Sequence, residues 1–191
     1  MYLGVDASMA NDEEIGAIKR KFGLKPQLLL LLVALNLVSA VAYTAALYQT
    51  SRTEIMSGID GRLAAGVYAA REIIPVDYHT RIDGPESISA EEYMALQRRL
   101  SRFADESGFV YVYSYMEFSD GIRTVSTSAT PQEVSDGSET EFFTMYDTAP
   151  EPLYRSFDDG EARFDEYYDS FGSFRSMYLP LSQGDGPRFV I

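Results

Sequence analysis

The sequence lacks cysteine and tryptophan altogether, and its 191 residues include a single histidine, His79. A chain without cysteine forms no disulfide framework, no zinc–thiolate site and no thiol nucleophile. The patterns G-x-S-x-G, G-x-G-x-x-G and H-E-x-x-H and the phosphate-binding loop are also absent. We interpret His79 as a surface or loop residue, since a Ser-His-Asp arrangement would have to be assembled around it alone. These absences predict a chain with no catalysis of its own and no cofactor.

Basic residues are scarce and unevenly placed in this chain, whose formal net charge is -13. All the lysines, Lys19, Lys21 and Lys25, precede a long apolar run, and every basic residue after that run is an arginine. Binding to nucleic acid needs Lys and Arg clustered against the phosphates, so we expect no nucleic-acid partner.

Acidic residues are concentrated between Asp158 and Asp169. Their spacing does not follow the Asp-x-Asp-x-Asp-Gly order of a calcium-binding loop. We therefore interpret this run as a solvated acidic face and predict no metal site.

One apolar run is long enough to cross a membrane. Leu28–Leu47 carries no charge, and only Asn36, Ser39 and Thr44 interrupt it with polar groups. At about 1.5 Å per helical residue, about 20 residues span a hydrocarbon core of about 30 Å. Because the lysines stand before the run, the positive-inside rule places the N-terminus in the cytoplasm. The predicted organisation is a cytoplasmic segment at residues 1–26, a transmembrane helix at 27–49 and an extracytoplasmic domain at 50–191.

The tripeptide Ala40-Val41-Ala42 offers an alternative to the anchor. Small residues in this order, after an apolar stretch and a basic segment, are typical of a cleavable signal peptide. However, the apolar run continues past this site, and the basic segment is long for a signal peptide. We therefore expect an uncleaved anchor, with a cleaved signal as the alternative.

Two helices are predicted beyond the membrane segment. Residues 50–74 contain no proline, and apolar residues recur there at spacings of three and four from Ile55 onward. This apolar stripe packs either on its own domain or against a second copy, and we expect a homodimer. A second helix begins at Ser89, because Ser89 and Glu92 form a capping-box pattern, and it ends at Gly108. The stripe consists of Ile55, Ile59, Leu63, Val67, Ala70 and Ile74.

Strands follow the second helix. Phe109–Phe118 alternates two sets of side chains that are both largely apolar or amphipathic, so we expect both faces of this strand to be covered. A turn at Ser119-Asp120-Gly121 leads to a returning strand at Ile122–Ala129. The remaining elements are a loop at 130–160 with a short helix around Pro152–Asp159, strands at Ser173–Leu181 and Pro187–Ile191, and a turn at Gln183–Gly186. The predicted fold class is α+β with an antiparallel sheet, in a chain that we expect to be truncated at its C-terminal end.

Aromatic side chains form the candidate binding site. Tyrosines recur on one face of the first strand and near the strands that follow it, and an arginine lies among them. Small-ligand pockets combine aromatic walls with a few fixed polar groups, and Arg pairs bidentately with carboxylates. The predicted site binds a small molecule, with carboxylates among the candidates, and is formed by Tyr111, Tyr113, Tyr115, Ser126, Ser128, Tyr146, Tyr168 and Arg175. The alternative is that the tyrosines are ordinary core and that Arg175 belongs to a structural ion pair.

Several segments carry a resemblance to a known class of domain. They are Ile74–His79, Ile88–Tyr93, Tyr111–Ser114, Thr127–Thr130, Gly172–Ser176 and Leu179–Leu181. Together they resemble the single-Cache, PAS-like extracytoplasmic sensor domains of bacterial receptors, over residues 50–191. The resemblance implies a ligand-sensing module that lies between two membrane helices and feeds a diguanylate cyclase, a histidine kinase or a chemotaxis module.

The predicted function is therefore the sensory part of a membrane receptor, which passes ligand binding to a cytoplasmic output domain through helix movement. The alternative is an anchored or secreted protein that binds a small molecule or a cation without signalling across the membrane. An enzyme is the third and least favoured interpretation.

The uncleaved anchor makes a direct prediction about the mature N-terminus. N-terminal sequencing of the protein extracted from membranes should begin at or near Met1, because the lysine cluster retains that end in the cytoplasm. A mature start at Tyr43 would contradict the anchor and indicate a cleaved signal peptide.

Overall fold

The computed structural model describes residues 23–169, 172–182 and 188–191. The chain divides into two compact units, Met1–Glu54 and Ile55–Ile191. Its first element is α1, Leu24–Ile73, which is 50 residues long. The most apolar window of α1 has a mean hydropathy of 2.2 and is not buried within the protein. Among the described residues, α1 is the one helix that is long and apolar enough to cross a membrane.

The second unit combines helices with antiparallel strands. Its elements after α1 are a 3₁₀ turn at His79–Arg81, α2 at Ala90–Ser107, β1 at Tyr113–Phe118, β2 at Gly121–Thr127, α3 at Pro131–Asp136, β3 at Thr144–Met145, α4 at Glu151–Asp159, β4 at Arg163–Asp169, β5 at Gly172–Tyr178, β6 at Pro180–Leu181 and β7 at Phe189–Val190. The strand pairs of the described residues are antiparallel. The predicted α+β class, with a long N-terminal helix and an antiparallel sheet, is therefore confirmed.

The ends of the first two long helices follow from local chemistry. α1 ends just before Pro75, which has no N–H to continue a helix. The hydroxyl of Ser89 accepts a hydrogen bond from the backbone N–H of Glu92 at the start of α2, as predicted. The carboxylate of Glu92 pairs instead with Arg81, so only the serine half of the capping box forms. Gly108 ends α2 in the left-handed conformation, with φ of 70°.

β1 lies at the centre of the larger sheet. The strand order is β3-β2-β1-β7-β6, and β4 and β5 form a separate two-stranded hairpin. The register places Ser114 opposite Ser126 and Tyr115 opposite Val190. The hairpin formed by β1 and β2 turns at Gly121, whose φ is 136°. This angle suits glycine, because other residues are strained there. β1 therefore has a strand partner along each of its edges.

Each face of β1 contributes to a different part of the core. One cluster contains Met116, Leu100 of α2, Ala70 of α1 and Phe189 of β7, and the other contains Tyr115, Ile122 of β2, Leu153 of α4 and Val190 of β7. Leu100 and Leu153 are fully buried, and such burial contributes about 1.5–3 kcal/mol for each side chain. The prediction that both faces of the first strand are covered is confirmed, although the strand begins at Tyr113 and not at Phe109.

The sequence prediction is wrong in three places after β2. The strand expected at Ser173–Leu181 is divided into β5 and β6, which lie in different sheets. The segment 130–160 was expected to be a loop with one short helix, but it also contains α3 and β3. Thr130 is the N-cap of α3 and forms a reciprocal capping box with Glu133. The acidic run contains the strand β4, whose many charged side chains hide the apolar alternation that usually identifies a strand. The short helix is confirmed as α4, and the turn predicted at Gln183–Gly186 lies outside the described residues.

His79 is buried, with 1% of its surface exposed, so its interpretation as a surface residue is wrong; it lies in the 3₁₀ turn that follows α1. Its ring stacks on Phe189 at 3.6 Å between centroids, and its Nε2 lies 3.0 Å from the hydroxyl of Ser114. Burial lowers the pKa of His79 from 6.5 to about 3, because the charged ring would lose its hydration. The folded domain therefore holds His79 neutral at physiological pH.

Neutral His79 predicts an acid-sensitive domain. Because the unfolded chain takes up the proton near pH 6.5, the free energy of unfolding should fall as the pH drops from 6.5 towards 3, by about 1.4 kcal/mol per pH unit. His79→Phe keeps a ring against Phe189 and should flatten this dependence. Urea unfolding of both proteins between pH 7 and 4 measures how the free energy of unfolding of each depends on pH. The carboxylates of the two proteins are the same, so the difference between the two slopes reports His79. Equal slopes in the two proteins would contradict the prediction.

Candidate functional site

The second unit contains a cavity of about 570 Å³, a volume typical of small-molecule pockets. One wall is the part of α1 from Ile59 to Val67, and another is the chain from Phe109 to Tyr115. Residues 173–178 of β5 and Tyr146 also line the cavity. The cavity therefore lies where α1 meets the strands.

Four tyrosine rings form a stack along this cavity, which we call the tyrosine ladder. Tyr111, Tyr113 and Tyr115 share one face of the chain at β1, because alternate residues of an extended segment point the same way. Their neighbouring ring centroids lie 5.3 and 5.6 Å apart. Tyr146 continues the stack at 5.3 Å from Tyr115, and its backbone N–H donates to the carbonyl of Ile122. The predicted sharing of one face by the three strand tyrosines is confirmed.

The hydroxyl groups of these tyrosines stay protonated. Burial is the largest cause that raises the pKa of Tyr113, Tyr115 and Tyr178, and neighbouring tyrosines add to it. The pKa of Tyr146 is raised for the same reason. Tyr111 donates a hydrogen bond to the carboxylate of Glu133 at 3.1 Å. The cavity is therefore bordered by neutral tyrosine hydroxyls, of which that of Tyr111 already donates to Glu133.

Two arginines are the charged residues that line the cavity within the described residues. Arg175 donates from Nε and Nη2 to the two carboxylate oxygens of Asp60 in α1, at 2.8 and 2.9 Å. We call this pair the Asp60–Arg175 clasp; its hydrogen bonds raise the pKa of Arg175. Arg62 donates to the backbone carbonyl of Ser107 at 3.0 Å.

The structure brings together five of the predicted site residues. Tyr111, Tyr113, Tyr115, Tyr146 and Arg175 all line the cavity. The possibility that Arg175 belongs to an ion pair is also realised, because the same side chain is clasped by Asp60.

The other three predicted residues lie elsewhere. Ser126 hydrogen-bonds Ser114 at 2.6 Å, on the face of β1 opposite the tyrosine ladder. The hydroxyl of Ser128 accepts a hydrogen bond from the N–H of Val112 at 2.9 Å and is buried. Tyr168 is 73% exposed, and it is Tyr167 that lines the cavity, because adjacent strand residues point to opposite faces.

Sequence reasoning missed the residues that α1 supplies, Asp60 and Arg62. Polar residues beside an apolar stripe look like ordinary solvent-facing positions, so no local signal marks them. It also missed Tyr178 of β5, which lay within a predicted strand but showed no separate signal. Within the described part of the chain, no group of three or more His, Cys, Asp or Glu side chains is placed to hold a metal ion.

Comparison with protein-family models gives no match for this chain, and neither does comparison with curated proteins. The chemistry of the cavity therefore rests on its own residues. They offer an aromatic and apolar wall, neutral hydroxyl donors and two guanidinium groups. This combination suits the binding of a small molecule.

The cavity wall predicts opposite effects for two glycines of α1. A Cβ on Gly66 would lie 2.3 Å from Cζ of Phe109, whereas one on Gly61 has no described heavy atom within 4 Å. Gly61→Ala should raise the free energy of unfolding by about 0.5–1 kcal/mol, because alanine favours a helix interior. Gly66→Ala should lower it, since Phe109 must move. Chemical denaturation measures both, and equal stabilisation would show that Phe109 does not constrain the helix.

Proposed function

We propose that this chain is the membrane-anchored, extracytoplasmic sensor part of a bacterial transmembrane receptor, and that it binds a small molecule in the cavity beneath α1. The observation that carries this proposal is that α1 supplies both a cavity wall, from Ile59 to Val67, and the apolar segment of membrane-spanning length. A ligand in the cavity would therefore contact the element that enters the bilayer.

The fold supports assignment to the PAS-like, single-Cache class. The first hairpin and the last strand lie side by side in one antiparallel sheet, with β7 between β1 and β6. A long helix precedes this sheet, and helices cover it. This arrangement is compatible with a domain that feeds a separate output module, and catalysis would then belong to that module.

The apolar stripe of α1 supports a homodimer. Its C-terminal part, Ala70 and Ile74, is buried in the core of its own domain. Its N-terminal end remains uncovered, because Ile55 is 63% exposed, whereas Ile59 lines the cavity. The uncovered part is available to the same residues of a second copy, in a two-fold pairing whose small shifts would carry the signal.

A ligand screen against the full chain in membranes or nanodiscs tests this proposal. Amino acids, organic acids and divalent salts are screened for thermal stabilisation, and a ligand at one hundred times its Kd should add about 2.7 kcal/mol. Tyr113→Leu, within the tyrosine ladder, should lose this stabilisation. Tyr168→Leu is the matched control, because Tyr168 is exposed and does not line the cavity.

A second readout separates a receptor from a simple binding protein. Single cysteines at Ile55 should crosslink between chains more readily than at Glu54, and the ligand should change the rate; native cysteine is absent and does not interfere. Stabilisation without any change in crosslinking would favour an anchored binding protein without transmembrane signalling. A screen without any stabilising compound would contradict the binding function.

A further inference from the structure

The charged side chains that line the cavity are opposite in sign to the net charge of the chain. The chain has a formal net charge of -13, yet the charged lining residues are Arg62 and Arg175, and no described Asp or Glu lines the cavity. Burying an anion beside fixed guanidinium groups offsets its loss of hydration. The lining therefore favours an anionic ligand.

The tyrosines add to this preference. An organic cation would need the open face of an aromatic ring. The rings of Tyr113 and Tyr115 stack on their neighbours, so their faces are already occupied. Their hydroxyls keep their protons and act as donors, which suits an acceptor such as a carboxylate oxygen.

The guanidinium of Arg175 already holds a carboxylate from within the chain. Asp60 accepts two parallel hydrogen bonds from it, the geometry in which Arg recognises a free carboxylate. Both side chains are about one-quarter exposed, at 24% and 26%, so the pair is not sealed in the core. A ligand in the cavity reaches the same arginine, because Arg175 is itself a lining residue.

We propose that the cavity takes a carboxylate with an apolar body, and that Asp60 occupies Arg175 until the ligand's carboxylate displaces it. The apolar body would lie against Leu63, Val67 and Phe109, which line the cavity near α1. This inference rests on the proposed ligand-binding function. It adds the chemical class of the ligand and identifies Asp60 as the carboxylate within the chain that competes with the ligand for Arg175.

Displacement gives ligand binding a direct effect on α1. The clasp joins α1 to β5, and exchanging one carboxylate for another conserves the charge at Arg175 while it frees Asp60. The apparent affinity of the ligand then equals its intrinsic affinity multiplied by the fraction of molecules in which the clasp is open. Removing the competitor must therefore strengthen binding of the acid, which a purely structural ion pair would not do.

Calorimetric titration of the full chain in nanodiscs tests this competition, with phenylacetate as the probe and phenylacetamide as its neutral analogue. Asp60→Asn should bind phenylacetate about fivefold more tightly than the wild type, equivalent to about 1 kcal/mol. Its affinity for phenylacetamide should change by less than about twofold, a factor worth only about 0.4 kcal/mol. An unchanged ratio of acid to amide affinity would overturn the role of Asp60.

A charge-swapped variant provides a second test of the proposal if Asp60→Asn does not fold. Asp60→Arg combined with Arg175→Asp keeps an ion pair between α1 and β5 but places an acid in the cavity lining. The swapped protein should lose its preference for phenylacetate over phenylacetamide. A retained preference would show that Arg175 does not hold the carboxylate.

The outcomes also separate this inference from the proposed function. If a neutral or cationic compound from the screen stabilises the wild type and no carboxylate binds the wild type or Asp60→Asn, the ligand class is wrong while the sensor function stands. If no compound binds any variant and crosslinking at Ile55 never responds, both are contradicted.

Discussion

The covering of β1 on both faces is the constraint on which the rest of this domain depends. Side chains alternate along the strand, so Ser114 and Met116 point to one side while Tyr113 and Tyr115 point to the other. The first side receives His79 and the α2 core, and the second side forms the tyrosine ladder. A shift of one residue in register would bury the tyrosines against α2 and place Met116 in the cavity.

The strand partners of β1 keep that register. β2 and β7 pair with it along both edges, and β7 supplies residues to both core clusters, Phe189 to one and Val190 to the other. Phe189 also stacks on His79, which follows the end of α1 closely in the chain. The C-terminal strand, the central strand and the segment after α1 are therefore stabilised together.

The Asp60–Arg175 clasp is the polar counterpart of this apolar packing. Residues 115 positions apart in the sequence form two parallel hydrogen bonds between α1 and β5. A partly exposed pair of this kind contributes modestly to stability, about 1 kcal/mol or less. Because Arg175 also lines the cavity, the pair is more informative about binding than about the stability of the fold.

The pattern of neighbouring residues predicted an element correctly where one feature of that pattern dominated. The period of α1, the start of α2 at Ser89 and the turn at Gly121 each follow from chemistry within a few residues, and so does the alternation that aligns three tyrosines. The same reasoning failed for β4, whose charged residues hide its alternation. It also missed β3, which is two residues long and exists because β2 offers it hydrogen bonds.

The sequence by itself determined the apolar helix of membrane-spanning length, the α+β class and the tyrosine face, because each is written in the spacing of neighbouring residues. Only the tertiary structure decided that His79 is buried, that Tyr167 rather than Tyr168 lines the cavity, and that Asp60 meets Arg175. These facts depend on how distant segments pack against each other. Side-chain contacts between such segments leave no period or motif in the sequence. They therefore cannot be predicted from the pattern of neighbouring residues.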